Sequence, residues 1–171
     1  MKLFSKLGQT LETGKTLAIK KIKVSLGDVT LDLRVRIPLK KEIEDINAKI
    51  MIPNPEKVQA IYEKFSKPML DTIKEGGEKF LEALNEKKQA IEVLKDDLIV
   101  DGTSLKQVAS YQAIEETRVE EYFHLLVSEI DEPITETYDE IMAEFPEFVV
   151  REIMSEIQGA IHPDYSTAKK N

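Results

Sequence analysis

Val29-Thr30-Leu31-Asp32-Leu33-Arg34-Val35-Arg36-Ile37 is the stretch on which the fold turns. Val29, Leu31, Leu33, Val35 and Ile37 occupy every second position, and a period of two puts all of them on one face of an extended strand. The run before it, Leu17-Ala18-Ile19-Lys20-Lys21-Ile22-Lys23-Val24, also reads as extended. Gly27-Asp28 lies between the two, which predicts an antiparallel hairpin over 17–37. Pro38 stops the second strand, having no amide to give to a ladder. A lone hairpin is marginally stable, so this one must pack on helices or pair with another chain.

Beyond Pro38 the period changes to that of helices. Lys41–Ile50 predicts a short helix, and Pro53-Asn54-Pro55 breaks the chain. Glu56–Ser66 sets Val58, Ile61, Tyr62 and Phe65 on one face. A further helix is expected from Pro68 to about Leu94, broken or bent at Gly76-Gly77. Asp101-Gly102-Thr103-Ser104 reads as a turn and N-cap, opening a long helix over about Leu105–Ile130. Pro133 ends that segment, and Thr135 or Thr137 can cap a short helix over Tyr138–Phe145. Pro146 suits the first turn of a last helix reaching about Ile161, with Val150, Ile153, Met154 and Ile157 as its apolar stripe and Pro163 closing it. The expected fold class is mainly α with a small N-terminal antiparallel β-hairpin (α+β), a helical bundle of about five or six helices. Residues 17–163 are expected to form a single helical domain, with a flexible basic arm over 1–16 and a flexible tail over 164–171.

Charge is sorted along the chain. Residues 1–41 carry ten Lys/Arg against three Asp/Glu, and residues 42–171 carry fourteen against twenty-nine. From Gln107 to Ala168 fifteen acids face only Arg118 and Arg151. So acidic a body repels nucleic-acid phosphates and anionic membranes, and neither is an expected direct partner. Lys20, Lys21, Lys23, Arg34 and Arg36 read as the solvated face of the hairpin rather than as a phosphate-binding patch. Cysteine is absent, which removes disulfides, thiolate metal sites and cysteine nucleophiles. No apolar run approaches the roughly 20 residues of a membrane span, and Met1–Leu7 lacks the apolar segment of a signal peptide. A cytoplasmic protein is expected.

Three chemical motifs come close and fall short. Gly14-Lys15-Thr16 resembles the end of a phosphate-binding loop, but the upstream glycine is Gly8, one position too far, and no strand precedes it. Glu121-x-x-His124 has the spacing of helical di-iron ligands, yet the residue three before the other histidine, His162, is Gly159. Glu115, Glu116, Glu120 and Glu121 read instead as a solvated helix face. Ser110, Ser128 and Ser155 lie in expected helices without the glycines of a nucleophile elbow. No enzyme activity, cofactor or metal is expected.

As a whole, the chain resembles the tail assembly chaperones of long-tailed bacteriophages. The resemblance rests on the hairpin ending Leu33-Arg34-Val35-Arg36-Ile37-Pro38 before a charged helix, on the acidic helical middle, and on Tyr138-Asp139-Glu140-Ile141-Met142-Ala143-Glu144-Phe145-Pro146 leading into Val149-Val150-Arg151-Glu152-Ile153. It covers roughly residues 17–163 and is one of layout and local phrasing. It implies a protein of the bacterial host cytoplasm that binds and solubilises the tape-measure protein, helps recruit tail tube subunits, and leaves before the virion matures. Lys169-Lys170-Asn171 can be encoded by a run of adenines followed by AAY, on which ribosomes slip. The resemblance therefore also implies a frameshift-extended form of the chain as a partner, and self-association into a homo-oligomer is left open. The apolar candidates for partner contact are Tyr122, Phe123, Leu126, Phe145, Phe148, Val149 and Met154. Two other readings stand beside this one: a tail or head structural subunit whose hairpin edge pairs between chains, and an acidic mimic of nucleic acid.

Overall fold

The computed structural model describes residues 19–86, 90–129 and 132–162, so the basic arm over 1–16, Pro163 and the tail over 164–171 lie outside the described residues. The protein is mainly helical, with two small antiparallel sheets, one of two strands and one of three. It divides into two compact units, Met1–Asn47 with Arg118–Asn171, and Ala48–Thr117.

In the first unit the predicted hairpin forms. Strand β1 (Ile19–Leu26) pairs with β2 (Val29–Arg36) in a register running from Ile19↔Arg36 to Leu26↔Val29. That register leaves Gly27-Asp28 as the loop. Gly27 sits at φ 65 while Asp28 stays at negative φ, the pattern of a type II′ turn, which matches the twist of the flanking strands. Burial rises away from the tip, since Val29 is exposed whereas Ile22, Val24 and Val35 are buried. Helix α1 (Lys40–Met51) begins after Pro38. Arg36 reaches forward to it, its guanidinium donating to both carboxylate oxygens of Glu42 at 2.9 and 2.5 Å. Helix α4 (Tyr138–Glu144) and helix α5 (Glu147–Ile161) follow one another across Pro146, and α5 packs against β1. The apolar stripe expected on α5 is its buried face: Val150, Ile153, Met154 and Ile157 are all buried.

In the second unit helix α2 (Pro55–Glu86) starts on a proline and is capped by Asn54, whose Oδ1 accepts the Glu56 amide at 2.9 Å. Val58, Ile61, Tyr62 and Phe65 pack together as their spacing predicts, against Ala109 and Ala113 of helix α3 (Leu105–Phe123). Alanines at i and i+4 carry little bulk, which lets the two helices approach closely. A small sheet joins β3 (Ile91–Val93), β4 (Leu98–Val100) and β5 (Thr103–Ser104). Asp97 then organises the start of α3. Its Oδ1 accepts the amides of Leu98 and Lys106 at 2.8 and 3.0 Å, and its Oδ2 accepts the Ser104 hydroxyl at 2.5 Å.

Four expectations are corrected. Pro68 does not open a helix; it lies inside α2, and the chain leaves helical geometry only at Gly77, φ 63. The helix expected as far as Leu94 gives way to a strand at Ile91–Val93, where the ladder to Leu98–Val100 satisfies the backbone. Helix α3 ends at Phe123, not near 130, because the chain turns extended and pairs beside β2. Instead of a bundle of five or six helices, the described residues hold four helices of at least twelve residues and one of seven. Part of their apolar surface is covered by strands, as where α5 meets β1.

Candidate functional site

The site grows from the second edge of β2. After α3 ends, the Val127 amide donates to the Arg34 carbonyl at 2.9 Å and the Arg36 amide to the Leu125 carbonyl at 2.8 Å. Leu126 thus lies against Val35 as a short third strand, and the Ile134 amide donates to the Leu126 carbonyl on its far side at 3.1 Å. β2 is therefore paired on both edges. β1 is the edge strand among the described residues, with Lys20, Lys21 and Lys23 exposed along it. Edge lysines discourage pairing with another chain.

Helix α4 is anchored beside this extended segment. The Thr137 amide and hydroxyl both donate to the Glu140 carboxylate at 2.8 Å, which holds the Glu140 carboxyl below its ordinary range. The Tyr138 amide donates to Glu120 of α3 at 2.9 Å. At the C-terminal end of α4, Phe145 tilts against Phe123 with ring centroids 6.5 Å apart.

Between these elements lies an apolar groove of about 380 Å³. Leu31 and Leu33 of β2, Leu126 and Val127 beside it, and Phe123, Ile134, Ile141, Phe145 and Ile153 line it. Asp32, Glu129, Glu136, Glu140 and Glu144 stand at its polar margin with a single cation, Arg34. The Arg34 guanidinium donates to the carbonyls of Ser128 and Glu129 at 3.0 and 2.9 Å, so it also braces the backbone. Asp32 meets Lys23 at 3.8 Å, an exposed pair worth little. Among the described residues no lysine or arginine forms an ion pair with Glu129, Glu136, Glu140 or Glu144. The groove offers apolar contact within a negative margin.

The expected contact residues divide. Phe123, Leu126 and Phe145 line the groove, Phe145 half-buried and the other two buried beneath its surface. Tyr122, Val149 and Met154 are buried and take no part in its lining. Phe148 is 61% exposed, outside the groove. Leu31, Leu33, Ile134 and Ile141 line it and were not among the candidates; the alternation of β2 marks the first two, whereas Ile134 lies in a connection with no period. His124 falls just past the end of α3, its Nε2 3.3 Å from the Glu136 carbonyl oxygen. No group of three or more His, Asp or Glu side chains among the described residues is placed to hold a metal ion. No helix among them is long and apolar enough to cross a membrane.

Comparison with models of known families, with curated proteins and with solved structures finds no match to this chain.

Proposed function

We propose that this protein is an assembly chaperone that shields apolar helical segments of a client, and that the client is the tape-measure protein of a long-tailed bacteriophage. The observation that carries the shielding role is the groove. It presents the half-buried Leu31, Leu33, Ile134 and Phe145 to a partner, over the buried Phe123 and Leu126, with carboxylates at the margin. Client helices with apolar stripes associate with one another unless covered. A coat with excess negative charge keeps covered complexes apart. The client's identity, the recruitment of tail tube subunits and a frameshift-extended form rest on the sequence resemblance alone. On this reading the protein works in the bacterial host cytoplasm and is absent from the mature virion.

Support for a structural subunit joined through its hairpin is weaker, because β2 is paired on both edges and β1 carries lysines. Co-expression with a tape-measure protein tests the proposal. Soluble tape-measure protein should rise, and the two chains should co-purify. Unchanged solubility with no co-purification overturns it.

A further inference from the structure

We infer that the groove selects its occupant by charge: it takes an amphipathic helix whose apolar stripe is flanked by lysine or arginine, and rejects the same stripe flanked by acids. The inference rests on the shielding function proposed above and deepens it. Two observations carry it. The floor of the groove is apolar, supplied by the half-buried Leu31, Leu33, Ile134 and Phe145 and backed by the buried Leu126 and Ile141. The margin is nearly all of one sign, with five carboxylates against Arg34. Glu129, Glu136 and Glu144 are exposed, and among the described residues none of the three forms an ion pair. A helix seated on the floor brings its flanking side chains to these carboxylates. A basic flank gains attraction there, whereas an acidic flank meets like charge. The apolar floor gives affinity, and the margin gives orientation and choice.

The chain's own residues 1–16 include Lys2, Lys6 and Lys15 beside Leu3, Phe4 and Leu7, so they are a competing occupant that the test must separate.

The experiment uses the full chain and two synthetic helical peptides of about 18 residues, some five turns. They share one Leu/Phe stripe and differ only in carrying Lys or Glu on either side of it. Fluorescence anisotropy reads their binding. The Lys-flanked peptide should bind at least about tenfold more tightly at ~0.1 M salt, and the gap should close near 1 M, where the screening length falls to about 3 Å. The triple variant E129Q/E136Q/E144Q spares the Glu140 cap. It should retain the circular dichroism spectrum and lose most of the discrimination. L31E, placed on the groove floor at a half-buried position, should weaken both peptides. Equal binding of the two peptides, or undiminished discrimination in the triple variant, overturns the inference. So does binding of the Lys-flanked peptide only after residues 1–16 are deleted, which would make that segment the occupant. Peptide discrimination without any effect on tape-measure solubility would instead overturn the choice of client and leave the charge selection standing.

Discussion

Replacing Glu42 with glutamine removes one half of the clamp that joins the end of β2 to the start of α1. Arg36 donates to both oxygens of the Glu42 carboxylate, at 2.9 and 2.5 Å, and the Leu39 amide approaches Glu42 at 3.4 Å. The two side chains are 37% and 38% exposed. A fully exposed pair would contribute about 0.2–1 kcal/mol, and charge-assisted hydrogen bonds contribute about 1.5–3 kcal/mol. Exposure above a third places this bidentate pair between those limits, at about 1 kcal/mol. The Arg36 hydrogen bonds hold the Glu42 carboxyl below its ordinary value of 4.5, more than burial raises it. A carboxyl depressed in the folded state contributes stability that is fully present above its unfolded value and lost as pH falls through the folded one. Urea unfolding of E42Q followed by circular dichroism should therefore show a loss of about 1 kcal/mol at pH 7 that shrinks below pH ~4. A cycle with R36Q should return a coupling of similar size. A variant as stable as the parent at pH 7, or a loss independent of pH, would refute the assignment.

Other perturbations probe separate parts of the fold. Ile157 on α5 has no exposed surface, and I157A should cost about 2–5 kcal/mol by urea unfolding. A loss under 1 kcal/mol would mean that α5 does not anchor the first unit. D97A removes the acceptor for two amides and a hydroxyl at the start of α3, and should cost about 1–2 kcal/mol at pH 7. Burial raises the Asp97 pKa, but the hydrogen bonds from Ser104, Lys106 and Leu98 prevail and hold it below its ordinary value. The cost of D97A should accordingly fade as pH drops below about 3.9. G27A meets no neighbouring atom, so its destabilisation of about 1 kcal/mol would come only from the positive φ of the turn. No change in stability would deny the turn geometry.

The hairpin was legible because its signals are local. Alternation from Val29 to Ile37 set the faces, and Gly27-Asp28 set the register. The face of Val58, Ile61, Tyr62 and Phe65 was legible for the same reason. What escaped was mostly nonlocal. Nothing in Leu125-Leu126-Val127 distinguishes another turn of α3 from a strand until β2 offers it a hydrogen-bonding edge some ninety positions away. Pro68 shows the opposite weighting: a local helix breaker is overridden, and the Thr72 hydroxyl donates to the Pro68 carbonyl within the continuing helix. Asp101-Gly102, both at positive φ, joins Leu98–Val100 to Thr103–Ser104, so this Asp-Gly pair is a local hairpin signal as well as the turn before a helix.

Three of the candidate contact residues reach the groove because they end or follow helices beside β2. Five of the seven candidates, Tyr122, Phe123, Leu126, Val149 and Met154, are buried, because helical spacing of apolar residues marks a buried face and an open one alike. A groove is a property of several elements at once. Leu33 and Ile134 are brought to one surface by strand pairing that no single segment encodes.

Solubility of a tape-measure protein expressed alone, with this chain, and with its L31E variant tests the central claim most directly. The groove account predicts soluble, co-purifying tape-measure protein with the parent chain and a marked loss with folded L31E. Equal solubilisation by L31E, or none by the parent chain, would contradict it.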